Sequence, residues 1–437
     1  MGRHLGCYGE KVATPNFDRI AGRGVRFSNY FCTSPSCSPS RGSISTGLYP
    51  HNNGLVGLAH LGWSIKKNVK TMPIYFNKLG YNTHLIGGHH EMPVENQNKY
   101  ESRKAAADAL GYKHFHDTAD LVPDPHYNYI GACYEILKKQ IDNISSENPF
   151  FINIGTPGAH RAYAAVRAGI IFNPDHPDHV SVPPYLPDRQ AVREDISFLN
   201  GFVKREDEYT GKIFDLLEEK GLLENTLFVC TTDHGIAMPR AKGMLYDPGV
   251  GTYLIMYWKG RFEGGRVFNE LLSNVDLLPT YLELAGGRVP ELDGKSILPL
   301  LDGKNYMENE YIFTELTWHD QYNPMRSIRT RTGKLIRNFG NRPRVYLPLD
   351  IYMGRAGESM YADCYYYRRP EYELYDLEND FTEVNNLYNL PEHSELQNSL
   401  AGKLENWMRK TEDPLLFGDI PPNPVQKIRL ESRYNNG

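Results

Sequence analysis

Short apolar runs that alternate with longer amphipathic segments constrain the fold of this chain more than any other feature. The apolar runs are bounded by turn residues and have the length of buried strands, at Thr83–Ile86, Pro149–Gly155, Thr226–Thr232 and Thr252–Trp258. Helical periodicity marks other segments, at Met72–Leu79, Tyr127–Ile144, Val192–Lys220 and Leu272–Ala285. Strands that alternate with helices predict an α/β fold, in which helices cover both faces of a large mixed, mostly parallel sheet.

The character of the sequence changes in its C-terminal part. Ser327–Asn338 and Glu371–Leu377 have the composition of strands in a small antiparallel sheet, and Ser394–Thr411 has the periodicity of a closing amphipathic helix. We therefore predict a large unit of residues 1–322 and a smaller C-terminal α+β unit of residues 323–437.

Composition argues against several classes of function. The formal net charge is −5 and no basic stripe runs along the chain, so nucleic-acid binding is not expected, although a local cationic pocket remains compatible with an anionic ligand. No apolar stretch reaches the roughly 18 residues that a membrane span requires, and no signal peptide is recognisable. The six cysteines are scattered, without the close pairs of a zinc site or a disulfide framework.

Three polar clusters directly follow predicted strands, at Gly87–His90, Thr156–Arg161 and Asp233–Gly235. In an open α/β sheet, ligands bind beyond the carboxyl ends of the strands. A lone histidine at such a place is more often a hydrogen-bonded loop residue than a catalyst. Three clusters at equivalent strand ends nevertheless predict an active site at this edge of the sheet.

The segment that begins at Cys37 is the most specific feature of the chain. Ser38 suits the N-cap of a helix, Pro39 its first residue, and Gly47 its end. Cys37 would then lie just outside a helix N-terminus beside Arg41, where N–H groups and a guanidinium favour an anion and lower the pKa of a thiol. These residues indicate a reactive cysteine or an anion pocket, against the alternative of a buried structural cysteine.

The segment Cys37–Gly47 also resembles the signature of the type I sulfatases, C-x-P-S-R followed by T-G. Further segments similar to this family run along nearly the whole chain, at Ala13–Asp18, Gly80–Thr83, Thr232–Gly235, Asn274–Thr280 and Glu373–Leu377. The resemblance implies a sulfuric ester hydrolase of the alkaline phosphatase superfamily, with the sheet and helices of that fold.

Within that family, the chain is most similar to the N-sulfoglucosamine sulfohydrolases, or heparan N-sulfatases. The segments that carry this finer resemblance are His51–Leu55, Leu245–Gly249, Pro324–Ser327 and Tyr365–Arg368. They imply a sulfated sugar of the glycosaminoglycan type as substrate, cleaved at a sulfate ester or at a sulfamate such as that of N-sulfoglucosamine.

The family resemblance implies that a sulfatase-maturing enzyme oxidises Cys37 to formylglycine after translation. The hydrated aldehyde would attack sulfur, and its second hydroxyl would later expel sulfate. Arg41 would orient the hydrate and His90 would help to deprotonate it. His160 would contact or protonate the leaving group, and Lys242 would bind the sulfate.

The same resemblance assigns a metal site and a substrate-binding set. Asp233 and His234 would bind a divalent cation, usually Ca²⁺, although a hard cation prefers oxygen to the nitrogen of His234. Substrate binding would involve His89, Arg161, Arg240, His319 and Arg326. Arg240 is also the alternative to Lys242 as the sulfate-binding cation.

Two departures from the family pattern bear on these expectations. The family normally begins with a buried strand that ends in two adjacent aspartates, both metal ligands, and we expect such a strand in sequence preceding Met1. A longer N-terminus would make a periplasmic or secreted location the expectation, and otherwise a cytoplasmic one. The lysine of the family motif G-K-x-H is replaced by Gly88, and His89 would compensate only weakly.

Two other functions fit the same residues. A phosphonate or phosphodiester hydrolase of the same superfamily can also carry a nucleophile derived from cysteine. A degenerate member would bind sulfated glycans without cleaving them, an alternative motivated by Gly88 and by the missing aspartates.

Overall fold

The structure of the chain is a computed structural model, which describes residues 1–119, 121, 129–145, 149–157, 160 and 173–434. The helices of the N-terminal half are α1 Pro15–Arg23, α2 Cys37–Thr46, α3 Pro50–Asn53, α4 Met72–Lys78, α5 Tyr100–Ala109, α6 Tyr129–Ile144 and α7 Gln190–Glu219. Those of the C-terminal half are α8 Asp247–Val250, α9 Leu277–Leu284, α10 Leu298–Leu301, α11 Leu349–Tyr352, α12 Arg355–Ser359, α13 Tyr361–Tyr365, α14 Ser394–Lys410 and α15 Pro424–Tyr434. In the described ranges, no helix is both long enough and apolar enough to cross a bilayer.

The strands of the large unit form three groups. They are β1 Val25–Phe27, β2 Tyr30–Phe31, β3 Asn82–Gly87, β4 His114–His116, β5 Phe150–Gly155, β6 Phe228–Thr231, β7 Leu254–Tyr257, β8 Arg266–Phe268 and β9 Leu272–Ser273. One group has the order β4-β3-β5 and is fully parallel. A second has the order β6-β7-β1-β8, with β7 antiparallel to both neighbours. The third pairs β2 with β9 in parallel, so the sheet is mixed and mostly parallel as predicted.

A cavity of about 1400 Å³ separates β5 from β6. Among the described residues, β5 pairs only with β3, and β6 pairs only with β7. Both strands therefore turn a backbone edge toward the cavity instead of toward each other. The predicted single sheet is interrupted at this point, and the polar ends of the two strands open into the same space.

Helices cover the faces of these strands because each helix carries one apolar stripe that packs into the core. The long helix α7 buries Val192, Ile196, Val203 and Phe214 toward the main core, which it shares with α1 and α6. The segment predicted as one helix over Leu272–Ala285 is divided, since Ser273 is extended and its N–H donates to Asp276 Oδ2 at 2.8 Å. This capping interaction starts a new helical segment, and α9 follows only at Leu277.

The small antiparallel sheet begins before the predicted boundary between residues 322 and 323. Its strands, in spatial order, are β10 Ile312–Trp318, β11 Tyr322–Arg329, β12 Gly333–Asn338 and β13 Tyr372–Asp376. The strand β10 was not predicted, and it pairs with β11 along most of its length. The β10–β11 hairpin spans the predicted boundary, so the antiparallel sheet itself starts at Ile312. Helix α14 closes the unit by packing Leu400, Leu404 and Met408 against the sheet.

Candidate active site

The helix that carries Cys37 starts two residues earlier than predicted. Ser36, with φ −142° and ψ 137°, is the N-cap, and Cys37 is the first helical residue. Pro39 is tolerated inside the first turn because its missing N–H would have had no intrahelical partner there. Gly47 ends the helix with φ 67°, as predicted. Cys37 is only 6% exposed, so its thiol lies on a buried helix start rather than in a free loop.

Nitrogen atoms surround the thiol of Cys37. Nε2 of His234 lies 3.2 Å from Sγ, and Nε2 of His160 lies 3.3 Å from the ammonium of Lys242. Burial by itself would raise the pKa of this thiol, but Lys242, His234 and His160 hold the pKa well below its ordinary value. The predicted lowering of the pKa is confirmed in direction. Its principal causes are these side chains from distant segments, rather than the nearby Arg41.

Asp233 and His234 follow β6 and face the start of α2. Oδ2 of Asp233 accepts a hydrogen bond from Nε of Arg41 at 3.0 Å, which fixes the guanidinium beside Cys37. Nδ1 of His234 lies 2.9 Å from the carbonyl oxygen of Gly235. A carbonyl only accepts, so Nδ1 carries the proton, and Nε2 presents its lone pair to Cys37.

The cluster of Cys37, Asp233 and His234 has the geometry of a partial metal site. One ligand atom from each lies within 4.8 Å of the others. Ca²⁺ normally takes six to eight oxygen ligands. Among the described side chains of this cluster only Asp233 supplies carboxylate oxygens, and Arg41 engages one of them. These residues can therefore contribute to a divalent-cation site, but by themselves they do not meet the coordination that Ca²⁺ requires.

Lys242 is placed opposite Cys37 by the turn that follows Gly235. Its side chain is 1% exposed, and its Nζ donates to Oδ2 of Asp350 at 2.6 Å. Nε2 of His160 lies 3.3 Å from the same ammonium. Burial would lower the pKa of Lys242, but Asp350 and Cys37 raise it, so the residue is a permanent cation. Asp350 was missed at the sequence level because no motif marks it and it comes from the C-terminal unit.

A group of three histidines also lines the cavity. Nε2 of His90 is 2.9 Å from Nδ1 of His60, and the two rings stack with centroids 5.2 Å apart. Nδ1 of His89 is buried without a hydrogen-bond partner among the described residues. All three line the same cavity as Cys37. The structure thus brings the predicted residues His89 and His90 to the site and adds His60, whose lone occurrence in the sequence gave no signal.

The structure contradicts the prediction that Arg326 binds substrate. Its side chain is fully buried in the small sheet, where it forms a short ion pair with Asp413 and lies 3.6 Å from Glu315. Its guanidinium also donates to the carbonyl of Leu316 at 3.0 Å. An arginine with these partners stabilises the packing of the C-terminal unit and presents no donor to the cavity.

Two other predicted substrate-binding residues lie apart from the cavity lining. The guanidinium of Arg240 donates to the carbonyls of Thr382 and Glu383 and lies 4.2 Å from the ring centroid of Tyr246. Lys242, and not Arg240, is therefore the cation that faces Cys37. His319 is buried and hydrogen bonds through Nδ1 to Asp320 at 2.6 Å. The predicted residue Arg161 lies outside the described residues.

Gly88 lies where the cavity is narrow. A Cβ atom at this position would come within 2.9 Å of Oη of Tyr129, so a lysine would fit only if that tyrosine moved. The neighbouring Gly87 has φ 85°, which favours glycine and continues the tight turn after β3. With glycine at position 88, the cationic side chains that interact with Cys37 include Arg41 and Lys242.

The sequence matches two protein-family models. Residues 1–287 match the model described as Sulfatase, and residues 237–351 match the model described as N-sulphoglucosamine sulphohydrolase, C-terminal. The first match covers more than half of the chain, including the segments that carry Cys37, Asp233 and Lys242.

Characterised relatives align along nearly the full chain. An ulvan-active sulfatase from Formosa agariphila is 30% identical over 427 residues, covering 94% of this chain and 78% of the relative. The human N-sulphoglucosamine sulphohydrolase is 27% identical over 462 residues, covering 94% of this chain and 89% of that protein. Among solved structures, a 2-O GAG sulfatase is similar with a TM-score of 0.72 at 20% identity, covering 98% of this chain and 93% of that one. The structural likeness extends the shared fold across both units.

Proposed function

The chain belongs to the sulfatase family, and on this premise we propose that it removes sulfate from a sulfated sugar through a residue derived from Cys37. The observation that carries the proposal is the contact of His234 Nε2 with the buried sulfur atom of Cys37, whose pKa is held low by Lys242, a lysine that itself contacts His160. Transfer of a sulfuryl group needs a nucleophile among groups that stabilise anionic oxygens. This arrangement meets that need at the end of an α/β sheet, where such folds bind ligands.

The proposed substrate is a glycosaminoglycan-type sugar, cleaved at a sulfate ester or at the sulfamate of N-sulfoglucosamine. Two named likenesses support this class: the C-terminal family model and the human N-sulphoglucosamine sulphohydrolase. The ulvan-active relative supports the broader class of sulfated polysaccharides. The side chain of His160 is 45% exposed, so a sugar in contact with it would remain accessible to solvent.

Cys37 is proposed to be converted to formylglycine by a sulfatase-maturing enzyme. In its hydrated form this group supplies the oxygen nucleophile, and Sγ in the present structure stands in for an oxygen of that hydrate. Arg41, held by Asp233, is in reach of the modified side chain. Lys242 binds the sulfuryl oxygens as a fixed cation, because burial and Asp350 leave its ammonium one orientation.

Proton transfer is assigned to two histidines that line the same cavity as Cys37. His160 protonates the leaving oxygen or nitrogen, because its imidazole lies beside Lys242, the proposed sulfate-binding residue. His90 accepts a proton from the nucleophile, with His60 as its hydrogen-bond partner at 2.9 Å. Imidazole suits both tasks because its pKa lies near neutral pH.

A divalent cation, Ca²⁺, is proposed to bind at Asp233 and His234. When bound, the ion would add positive charge to the sulfate-binding site. His234 offers Nε2 to it, because Nδ1 is occupied by the Gly235 carbonyl. The described residues supply only part of the oxygen ligands for Ca²⁺, so the roles assigned above rest on the side chains and not on the ion.

The test is to express the protein with a sulfatase-maturing enzyme and to assay an aryl sulfate, N-sulfoglucosamine and a phosphodiester in parallel. We expect sulfate release to exceed phosphodiester cleavage, and Cys37→Ala to abolish it. Cys7→Ser is the matched control, because Cys7 lies away from the cavity lining. Phosphodiester turnover above both sulfates would sink the proposal and would favour the other superfamily activity.

Mass spectrometry identifies the modification directly. Trypsin releases residues 27–41, a peptide that contains Cys32 as well as Cys37. Conversion replaces sulfur and two hydrogens by one oxygen at Cys37, while Cys32 remains a thiol and serves as an internal reference. An unmodified Cys37 in a fully active preparation would contradict the proposed nucleophile. Binding of sulfated sugars without turnover, despite confirmed modification, would instead identify a degenerate binding protein.

A further inference from the structure

Asp350 is a carboxylate that contacts Lys242, the proposed sulfate-binding cation. It lies on the short helix α11 of the C-terminal unit, 108 positions from Lys242 in the sequence. Repulsion between a carboxylate and sulfate is unfavourable, so its position beside this cation calls for a reason. No residue motif predicted it, and the proposed chemistry assigns it no step.

Packing holds Asp350 firmly beside the Lys242 loop. Gly243 has φ +82°, and a Cβ at Gly243 would lie 2.6 Å from Cγ of Pro348, which precedes α11. Ile351 on the same helix is fully buried. The backbone at Gly243 therefore packs closely against Pro348 at the start of α11. This packing limits the movement of the Asp350 carboxylate away from Lys242.

One oxygen of Asp350 lies beside two side-chain nitrogen atoms. Oδ2 lies 2.6 Å from Nζ of Lys242 and 3.7 Å from Nε2 of His160, and these two nitrogens are 3.3 Å apart. The ammonium of Lys242 can only donate, so Asp350 Oδ2 and Nε2 of His160 are both acceptors of its N–H groups. The carboxylate therefore fixes the direction of the Lys242 ammonium and keeps it beside His160.

Asp350 remains charged at neutral pH. Burial alone would raise the pKa of its carboxyl, but Lys242, His160 and His319 hold that pKa below its usual value. The ammonium of Lys242 is thus partly neutralised before any ligand arrives. An anion that binds beside Lys242 therefore gains less electrostatic free energy than it would beside an unpaired lysine.

The two anions that the site meets differ in charge. A sulfate ester or sulfamate carries one negative charge, whereas the released sulfate ion carries two at neutral pH. Because Coulomb repulsion scales with the product of the charges, a fixed carboxylate disfavours the released ion more than the bound ester. A site without this carboxylate would retain its product more tightly than its substrate.

We propose that Asp350 is a positioning residue that aligns Lys242 with His160 and weakens the affinity of the site for the sulfate ion, so that product leaves after each turnover. The proposal rests on the sulfatase function proposed above. It assigns to the C-terminal unit a direct part in the turnover of a site whose other residues come from the large unit.

The experiment compares the mature wild-type enzyme with Asp350→Asn and Asp350→Glu. Asparagine keeps the shape and removes the charge, so we expect inhibition by inorganic sulfate to tighten by about tenfold or more, while KM for the sulfated substrate changes less and kcat falls. Glutamate keeps the charge but moves it by one methylene, so sulfate affinity should remain near that of the wild type while kcat falls. If Asp350 had a merely structural role, Asp350→Asn would change stability without tightening sulfate inhibition more than it changes KM.

Asp363→Asn is the matched control. Asp363 belongs to the same unit, and its half-exposed carboxylate pairs with Arg189 at 2.8 Å, away from the cavity lining. The Asp363→Asn variant should leave both sulfate inhibition and kcat unchanged. Equal sulfate affinity in wild type and Asp350→Asn would overturn the proposal, and so would tighter sulfate binding in Asp350→Glu, because its charge is retained.

Calorimetric titration of sodium sulfate separates this proposal from the sulfatase function. It measures anion affinity without turnover, so it applies even if no substrate is cleaved. An inactive wild type whose Asp350→Asn variant binds sulfate more tightly would contradict the proposed function and retain the electrostatic role. An active wild type whose variant binds sulfate equally would retain the function and reject the role of Asp350.

Discussion

Nε2 of His234 lies 3.2 Å from Sγ of Cys37, although 197 positions separate the two residues in the chain. The contact joins the start of α2 to the end of β6. Because Nδ1 of His234 is occupied by the Gly235 carbonyl, the nitrogen that meets the thiol is the one with a lone pair. This geometry draws the proton of Cys37 toward the imidazole, and the cation Lys242 stabilises the thiolate that results.

The unmodified protein should show this effect as an unusually reactive thiol. We expect iodoacetamide to alkylate Cys37 at neutral pH, because its pKa is well below the ordinary value. Lys242→Met should raise the pKa of Cys37 and move the rise in labelling to higher pH. Burial and Asp18 raise the pKa of Cys7 to about 12, so Cys7 should label only in strongly alkaline solution. Peptide mass spectrometry across a pH series measures both sites, and faster labelling of Cys7 at neutral pH would contradict this assignment.

Lys242 and Arg240 should differ sharply in their effect on turnover. Lys242→Met removes the buried ammonium that faces Cys37, so kcat/KM should fall by about 100-fold to 1,000-fold. Arg240→Met should leave kcat/KM of the folded enzyme within a few-fold, because its guanidinium serves the carbonyls of Thr382 and Glu383. Its expected cost is about 1–2 kcal/mol in the free energy of unfolding. Steady-state kinetics and urea unfolding measure the two effects, and the reverse order would restore Arg240 as the sulfate-binding cation.

Arg326 should matter for stability and not for catalysis. Arg326→Met leaves the buried carboxylates of Asp413 and Glu315 without their cation, which should lower the free energy of unfolding by about 3–5 kcal/mol. Denaturant unfolding measures this loss. The fraction that remains folded should retain the KM of the wild type, whereas a large rise in KM would support a contact with substrate. Arg331→Met, at an exposed ion pair with Glu308, is a control that should change stability by less than about 1 kcal/mol.

Glu206 should make stability depend on pH. It is 7% exposed, and burial raises its pKa to about 7, despite a hydrogen bond from Thr156 at 2.9 Å. The native state therefore keeps a proton that the unfolded chain has lost above its ordinary pKa of 4.5. Stability from this group falls as the pH rises from about 4.5 to 7, by a total on the order of 3 kcal/mol. Glu206→Gln mimics the protonated form.

The variant should be more stable than the wild type at pH 8, with the difference vanishing below about pH 4.5. Urea unfolding at several pH values measures this trend. A Thr156→Val variant removes the hydrogen bond and should strengthen the pH dependence, because that bond lowers the pKa of Glu206. An equal difference between Glu206→Gln and the wild type at every pH would exclude titration of this carboxyl as the cause.

Local patterns predicted several buried strands and the helix that carries Cys37. The runs at Thr83–Ile86 and Pro149–Gly155 became β3 and β5 because a buried parallel strand needs apolar residues on both faces. The helix after Cys37 ended at Gly47 because only a residue that tolerates positive φ suits that cap. The strand β10 and the extended start at Leu272 were missed, since their short segments depend on pairing with strands far away in sequence.

Sequence alone determined the placement of contiguous residues: Cys37 at a helix start, Arg41 one turn later, and the Asp233-His234 pair after a strand. Only the tertiary structure decided which charges meet. In the structure Asp350 forms an ion pair with Lys242, and His60 lies beside His90. Arg326 is held in a buried ion pair with Asp413. The physical reason is that electrostatic pairing depends on distance and burial in space, whereas a linear motif records only neighbours along the chain.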